Sequence, residues 1–117
     1  MEQIQKTQIM QKDIVILPFP FTDIDGYKVR PAIVVSNECF NKTREDRIMV
    51  PLTSVMKEDD FSIVISQKDL ANGELLKQSR ARADRLFCIG KERIITKVGS
   101  INNKSFEEIK AKIQALF

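Results

Sequence analysis

The chain has 117 residues, no histidine, two cysteines and one tyrosine. The usual general base near neutral pH is therefore missing, and so is the commonest zinc ligand. Any catalysis falls to Arg, Lys, Asp, Glu, Ser, Thr or Tyr27. Cys39 and Cys88 are far apart and form no C-x-x-C pair, which argues against zinc and fits free thiols in a reducing compartment. The basic residues say more. Lys28 and Arg30 flank a polar loop, with Arg30 where an apolar run begins, and Arg80, Arg82 and Arg85 lie close together. A guanidinium can bind two phosphate oxygens at once and does not deprotonate. The net charge of +3 is compatible with a nucleic-acid ligand. The bland alternative is a solvated basic face, with Arg30 salt-bridged at a strand start.

These side chains need elements to hold them. Lys12 to Leu17 is apolar and β-branched. It reads as a strand that ends at Pro18 and Pro20 or lies at an edge, because proline donates nothing to a ladder. Thr22 to Gly26 is a loop, with Asp25-Gly26 as its turn signal. Val29 to Ser36 is nearly continuous in apolar residues, hence a strand that is central or buried on both faces, with Pro31 near its start. Asn37 to Asp46 reads as a polar loop. Further strands are expected over Arg47 to Thr53, Phe61 to Ser66, Ser79 to Ile89 and Arg93 to Ile101. Asp69 to Gly73 looks like a short helical turn closed by glycine. Phe106, Ile109, Ile113 and Leu116 or Phe117 form one stripe of a terminal helix. Its cap is either Asn102 or a box made by Ser105 and Glu108.

The expected architecture is mainly β (α+β). It is a small, strongly curved barrel of five to seven antiparallel strands, with a short inserted helix and a C-terminal amphipathic helix. Met1 to Gln11 reads as a polar N-terminal extension, frayed and without the apolar core of a secretory signal. No apolar run approaches the ~20 residues that span a bilayer, so a cytoplasmic protein without membrane contact is expected.

Several segments together resemble the PemK/MazF family of type II toxin endoribonucleases. Asp13-Ile14-Val15 is similar to the family's opening, with Lys12 where the family usually has glycine. Arg30-Pro31-Ala32-Ile33-Val34-Val35-Ser36-Asn37 resembles its R-P-x-x-V-x-x-N motif. Val50-Pro51-Leu52-Thr53-Ser54, Ser79-Arg80-Ala81-Arg82-Ala83-Asp84 and Val98-Gly99-Ser100-Ile101 resemble later family segments in the same order, so the likeness covers residues 12–117. It implies an SH3-like barrel, a homodimer, and cleavage of single-stranded messenger RNA without metal or other cofactor. It also implies an acidic antitoxin whose disordered tail occupies the RNA groove. The family's catalytic arginine maps onto Arg30 and its catalytic threonine onto Thr53.

RNA brings its own nucleophile, the 2′-hydroxyl, so the protein must align it, spread the developing charge and manage protons. Arg30 suits the charge. The Thr53 hydroxyl is too weakly acidic to be a base alone, and is assigned to orienting or relaying. Ser54 is the adjacent hydroxyl; successive strand residues face opposite ways, so only one of the two can serve that role. Candidate substrate contacts are Phe19, Thr22, Tyr27 and Lys28 around the first loop, with Asn37, Ser54, Ser79, Arg80, Arg82 and Arg85. Phe19, Phe21 and Tyr27 could stack on bases, or the phenylalanines could be core. The arginines could track phosphates, Arg80 and Arg82 sharing a face by period two. Asn37 could bond a base or shape the turn after its strand. Some family members have Gln and a second basic residue where Arg85 and Phe87 stand, which bears on the sequence that is cut. Two rival functions remain at this level: a gyrase-binding toxin of the CcdB type, which uses a tryptophan-bearing helix absent here, and a non-catalytic SH3-like RNA-binding module.

Overall fold

Two apolar faces back to back explain the near-continuous apolar runs at the start of the chain. In the computed structural model, which describes residues 8–19, 28–57 and 59–117, one core lies on each side of the first strands. The first contains Ile14, Ile33, Val50, Leu52, Ile65, Ala81, Ile101, Phe106 and Ile109. The second contains Ile9, Val15, Leu17, Ala32, Val34, Met49 and Ile94. Successive strand residues point to opposite faces, so β1 (Asp13–Phe19) and β2 (Lys28–Val34) must be apolar at both parities.

The remaining elements are α1 (Glu38–Thr43), β3 (Asp46–Thr53), β4 (Ser62–Ile65), β5 (Leu70–Gly73), β6 (Ser79–Arg82), β7 (Phe87–Gly90), β8 (Thr96–Ile101) and α2 (Asn103–Gln114). Among the described residues the strands form one antiparallel sheet in the order β4-β6-β3-β2-β1-β8-β5, with β7 also on β3. The sheet curls into a half-barrel. This is the expected mainly β architecture with its terminal helix, but the inserted helix is α1, in the Asn37–Asp46 segment read from sequence as a polar loop, and of the two strands beyond the six segments read from sequence, one is β5, read as a helical turn. The turn exists but is shorter and earlier, a 3-10 turn over Gln67–Asp69. Gly73 closes β5 with φ +85°, and an added Cβ would collide with the backbone of Val98 and Gly99.

β3 is the hub. Its first half, Asp46 to Met49, pairs with β7, and Leu52 and Thr53 pair with β6 on the same edge. Its other edge pairs with β2. The segment read as one strand from Ser79 to Ile89 is thus two, broken by a 3-10 turn at Ala83–Arg85 so that each half meets a different part of β3.

β1 runs through Pro18 to Phe19, opposite Val29 and Lys28. Its other edge meets β8 only between Asp13 and Ile16, so Pro18 lies at an edge where a missing donor costs little. The residues expected to be frayed include part of the fold: Ile9 is buried in the second core. Arg47, itself 1% exposed, donates from Nε to the Ile9 carbonyl at 3.0 Å.

α2 packs on β4 and the 83–85 turn, burying Phe106 and Ile109. Each such side chain contributes about 1.5–3 kcal/mol. Asn102 is the cap, its Oδ1 accepting from Ser105 N–H at 2.8 Å. The Ser105 hydroxyl serves instead as a donor to Asp69, at 2.8 Å.

Candidate active site

The β2–β3 register is the first constraint. Ala32 pairs with Pro51, Ile33 with Val50 and Val34 with Met49. Continued by two residues, the same register sets Arg30 opposite Thr53. Both have the parity of Ala32, Val34 and Met49, which face the second core. The paired ladder stops at Ala32 and Pro51, however, and where the strands part a groove opens. It has a volume of about 400 Å³. Arg30, Ser54, Ser79 and Lys77 line it with polar atoms, over an apolar floor that includes Ile16, Leu52 and Val98.

Arg30 is half-buried, and its Nε is buried with no hydrogen-bond partner among the described residues. A buried guanidinium N–H without an acceptor is expensive, and an incoming phosphate oxygen would satisfy it. Thr53 is half-buried; its Oγ1 accepts from the Val55 N–H at 3.2 Å. Ser54 is exposed and lines the groove beside Arg30, although it has the opposite parity to Thr53. The two hydroxyls therefore differ in setting: one is tied to the backbone, the other opens onto the groove. Ser79 is buried, its hydroxyl donating to the Lys77 carbonyl at 3.1 Å.

The arginine cluster departs from expectation. Arg80 is only 6% exposed. Its Nε donates to the Val55 carbonyl at 3.0 Å, and its Nη1 donates to Ser62 Oγ at 3.0 Å and to Asp59 Oδ2 at 3.3 Å. A guanidinium so enclosed is not a member of a phosphate-tracking stripe. The Phe61 N–H holds the Asp59 carboxyl below the usual carboxylate range against the effect of burial, with the Arg80 and Arg82 charges adding to it. Arg82 is half-buried and engages Asp84 through two bonds, at 3.2 and 2.7 Å. Arg85 is exposed on the 83–85 turn.

Asn37 caps α1, its Oδ1 accepting from Phe40 N–H at 2.9 Å; of its two expected roles, this is the one of shaping the chain after the strand. Thr22 and Tyr27, and the side chains of Phe19 and Lys28, lie outside the described residues. The groove wall formed by Glu74, Leu75, Leu76 and Lys77 was not expected from sequence. Its signal is an apolar pair inside a charged loop, and Leu76 is 96% exposed.

A curled antiparallel sheet with a terminal helix, and a groove that opens beside Arg30 where two strands part, define a small half-barrel β fold. The profile of PemK-like, MazF-like toxins of type II toxin–antitoxin systems matches residues 10–117, and the chain belongs to this family. Three solved structures share the fold. One is an endoribonuclease in complex with its cognate antitoxin from a mycobacterial species, 18% identical, with 91% of each chain covered and a TM-score of 0.73. Another is MazE–MazF from Deinococcus radiodurans, 21% identical over 92% of this chain and 94% of that one, with a TM-score of 0.74. The third is the Mycobacterium tuberculosis toxin MazF-mt6, 16% identical over 88% and 93%, with a TM-score of 0.69. No curated protein matched by sequence. Among the described residues, no helix is long and apolar enough to cross a membrane.

Proposed function

We propose that this toxin is an endoribonuclease that cleaves single-stranded messenger RNA at selected sequences, with Arg30 and Thr53 at its centre. The observation that carries the reading is Arg30 lining the groove with its buried Nε unpartnered among the described residues; the β2–β3 register, extended two residues past its last pair, would bring Thr53 across from it. In the reaction the 2′-oxygen bonds to phosphorus and the bond from phosphorus to the 5′-oxygen breaks. The proton leaves the 2′-oxygen and arrives on the 5′-oxygen. The products are a 2′,3′-cyclic phosphate and a 5′-hydroxyl, and no metal is required. Arg30 holds the phosphoryl oxygens as charge builds. Thr53 orients the phosphate or relays the proton, and Ser54, Ser79, Lys77 and Arg85 contact the strand.

A type II toxin acts with a cognate antitoxin. The finer reading is an acidic partner whose disordered tail folds into the groove and displaces RNA, and a toxin that works in the cytoplasm as a homodimer.

The test is incubation with a long single-stranded RNA in EDTA, beside Arg30→Ala, Arg30→Lys and Thr53→Ala, with the cut ends mapped. Discrete cuts ending in cyclic phosphates, reduced about 100-fold or more in the Arg30 variants, are expected. Intact RNA with folded wild-type protein would overturn the assignment.

A further inference from the structure

Arg80 occupies the rung where three strands meet. β6 lies between β3 and β4, and on it Arg80 pairs with Thr53 on one side and with Val64 on the other. The chain between those partners is the connection from β3 to β4. The Arg80 guanidinium turns into that connection and binds it at Val55 and Asp59, and also reaches Ser62, the first residue of β4.

Val55 is gripped at both ends of its backbone. Its N–H donates to Thr53 Oγ1 at 3.2 Å, and its carbonyl accepts from Arg80 Nε at 3.0 Å. The rotamer of Thr53 is therefore linked through one residue to a buried guanidinium. We infer that Arg80 is a positioning residue for Thr53: it fixes the segment after β3, and with it the orientation of the Thr53 hydroxyl beside Ser54, which lines the groove. This rests on the endoribonuclease reading for its consequence in catalysis, but not for its geometry.

The chemistry favours arginine specifically. The fork places Nε and Nη1 at a fixed separation, so one side chain reaches a carbonyl on one side and a carboxylate and a hydroxyl on the other. A lysine has one nitrogen and keeps the charge without that span. With the fork gone, Val55 is released and Thr53 loses its constraint. A phosphate contact would behave differently, since its removal weakens binding and lowers the salt dependence by about one charge.

The test uses the full chain with Arg80→Lys, Asp59→Asn, Thr53→Ala and the Arg80→Lys/Thr53→Ala double variant. Cleavage is followed in single turnover at saturating protein. Affinity is measured on the same RNA carrying one 2′-deoxy nucleotide at the mapped cut site. Arg80→Lys is expected to slow cleavage by about 10- to 100-fold, with affinity and salt dependence within about twofold of wild type. In the Thr53→Ala background the same change is expected to have almost no further effect. The Val55 amide resonance is expected to shift in Arg80→Lys, whatever happens to RNA. If Arg80→Lys does not fold, Asp59→Asn, which loosens the same clamp, is expected to give the same pattern at smaller size. Weakened affinity with an unchanged cleavage rate would overturn the inference, as would additive losses in the double variant. An unmoved Val55 resonance would overturn it independently of activity. A wild type that leaves RNA intact while Val55 responds would sink the endoribonuclease reading and, with it, the catalytic consequence of the clamp.

Discussion

Lys12 holds a left-handed backbone, with φ +82°, and its ammonium lies 5.7 Å from the centre of the Phe106 ring. The same ammonium donates to Asn103 Oδ1, so both contacts tie the start of β1 to the first turns of α2. An L-residue in that conformation is strained by roughly 1–2 kcal/mol, which glycine avoids. Here the strain is offset by a cation–π contact of about 0.5–1 kcal/mol and a hydrogen bond. Lys12→Ala keeps the strain and loses the contacts; Lys12→Gly loses both. Glycine is expected to be the better tolerated by about 1 kcal/mol, the reverse of the order at ordinary positions, and urea unfolding of the two variants reads this directly.

Arg47 is a buried cation held by three carbonyls, those of Ile9, Arg44 and Asp46, at 3.0, 3.1 and 2.8 Å. Burial draws its pKa down, partly countered by Glu45. Arg47→Met would leave those acceptors without a donor and free the segment around Ile9. A loss of about 2–4 kcal/mol is expected, with proteolytic nicking appearing near residues 8–11.

Asp69 links the chain before β5 to α2. Burial works against its charge, but the Ser66 N–H, the Ser105 and Ser66 hydroxyls and nearby Lys68 outweigh it and hold the carboxyl below its ordinary value. A carboxylate with a depressed folded pKa stabilises the protein above its unfolded pKa, and that stability fades as pH falls through the folded value. Stability should therefore drop below roughly pH 4. Asp69→Asn should remove about 1–2 kcal/mol near neutrality and flatten the acid loss, as thermal melts across pH 2–7 would show.

Arg85 and Arg80 provide opposite outcomes from the same side chain. Arg85 is exposed, so Arg85→Ala should weaken RNA binding across sequences and reduce the salt slope by about one. A filter-binding series at several salt concentrations tests it. An unchanged slope would place Arg85 outside the RNA path.

The sheet was largely legible because strand patterning is local: alternation marked β4, and two-sided apolar runs marked β1 and β2. The edge at Pro18 was legible too, once proline was read as an edge signal. α1 was not, since six residues are too few to show a helical period. Its only marker was Asn37 followed by Glu38, a capping pair that looks like any polar loop. The break between β6 and β7 had no local marker at all; it exists because β3 offers them separate stretches. The same limit governed the arginines. Period two put Arg80 and Arg82 on one strand face, but whether a guanidinium meets solvent or a backbone carbonyl depends on Val55 and Asp59, distant in sequence and brought close by the β3–β4 connection.

The pairing of β1 with β8 has a consequence in time. β1 finds one of its neighbours far along the chain, in β8, and Val98 of β8 is part of the groove floor. The groove cannot be complete until β8 has been made and has paired. A nascent chain arrested before Thr96 should therefore show no cleavage, whereas one extended through β8 and α2 should.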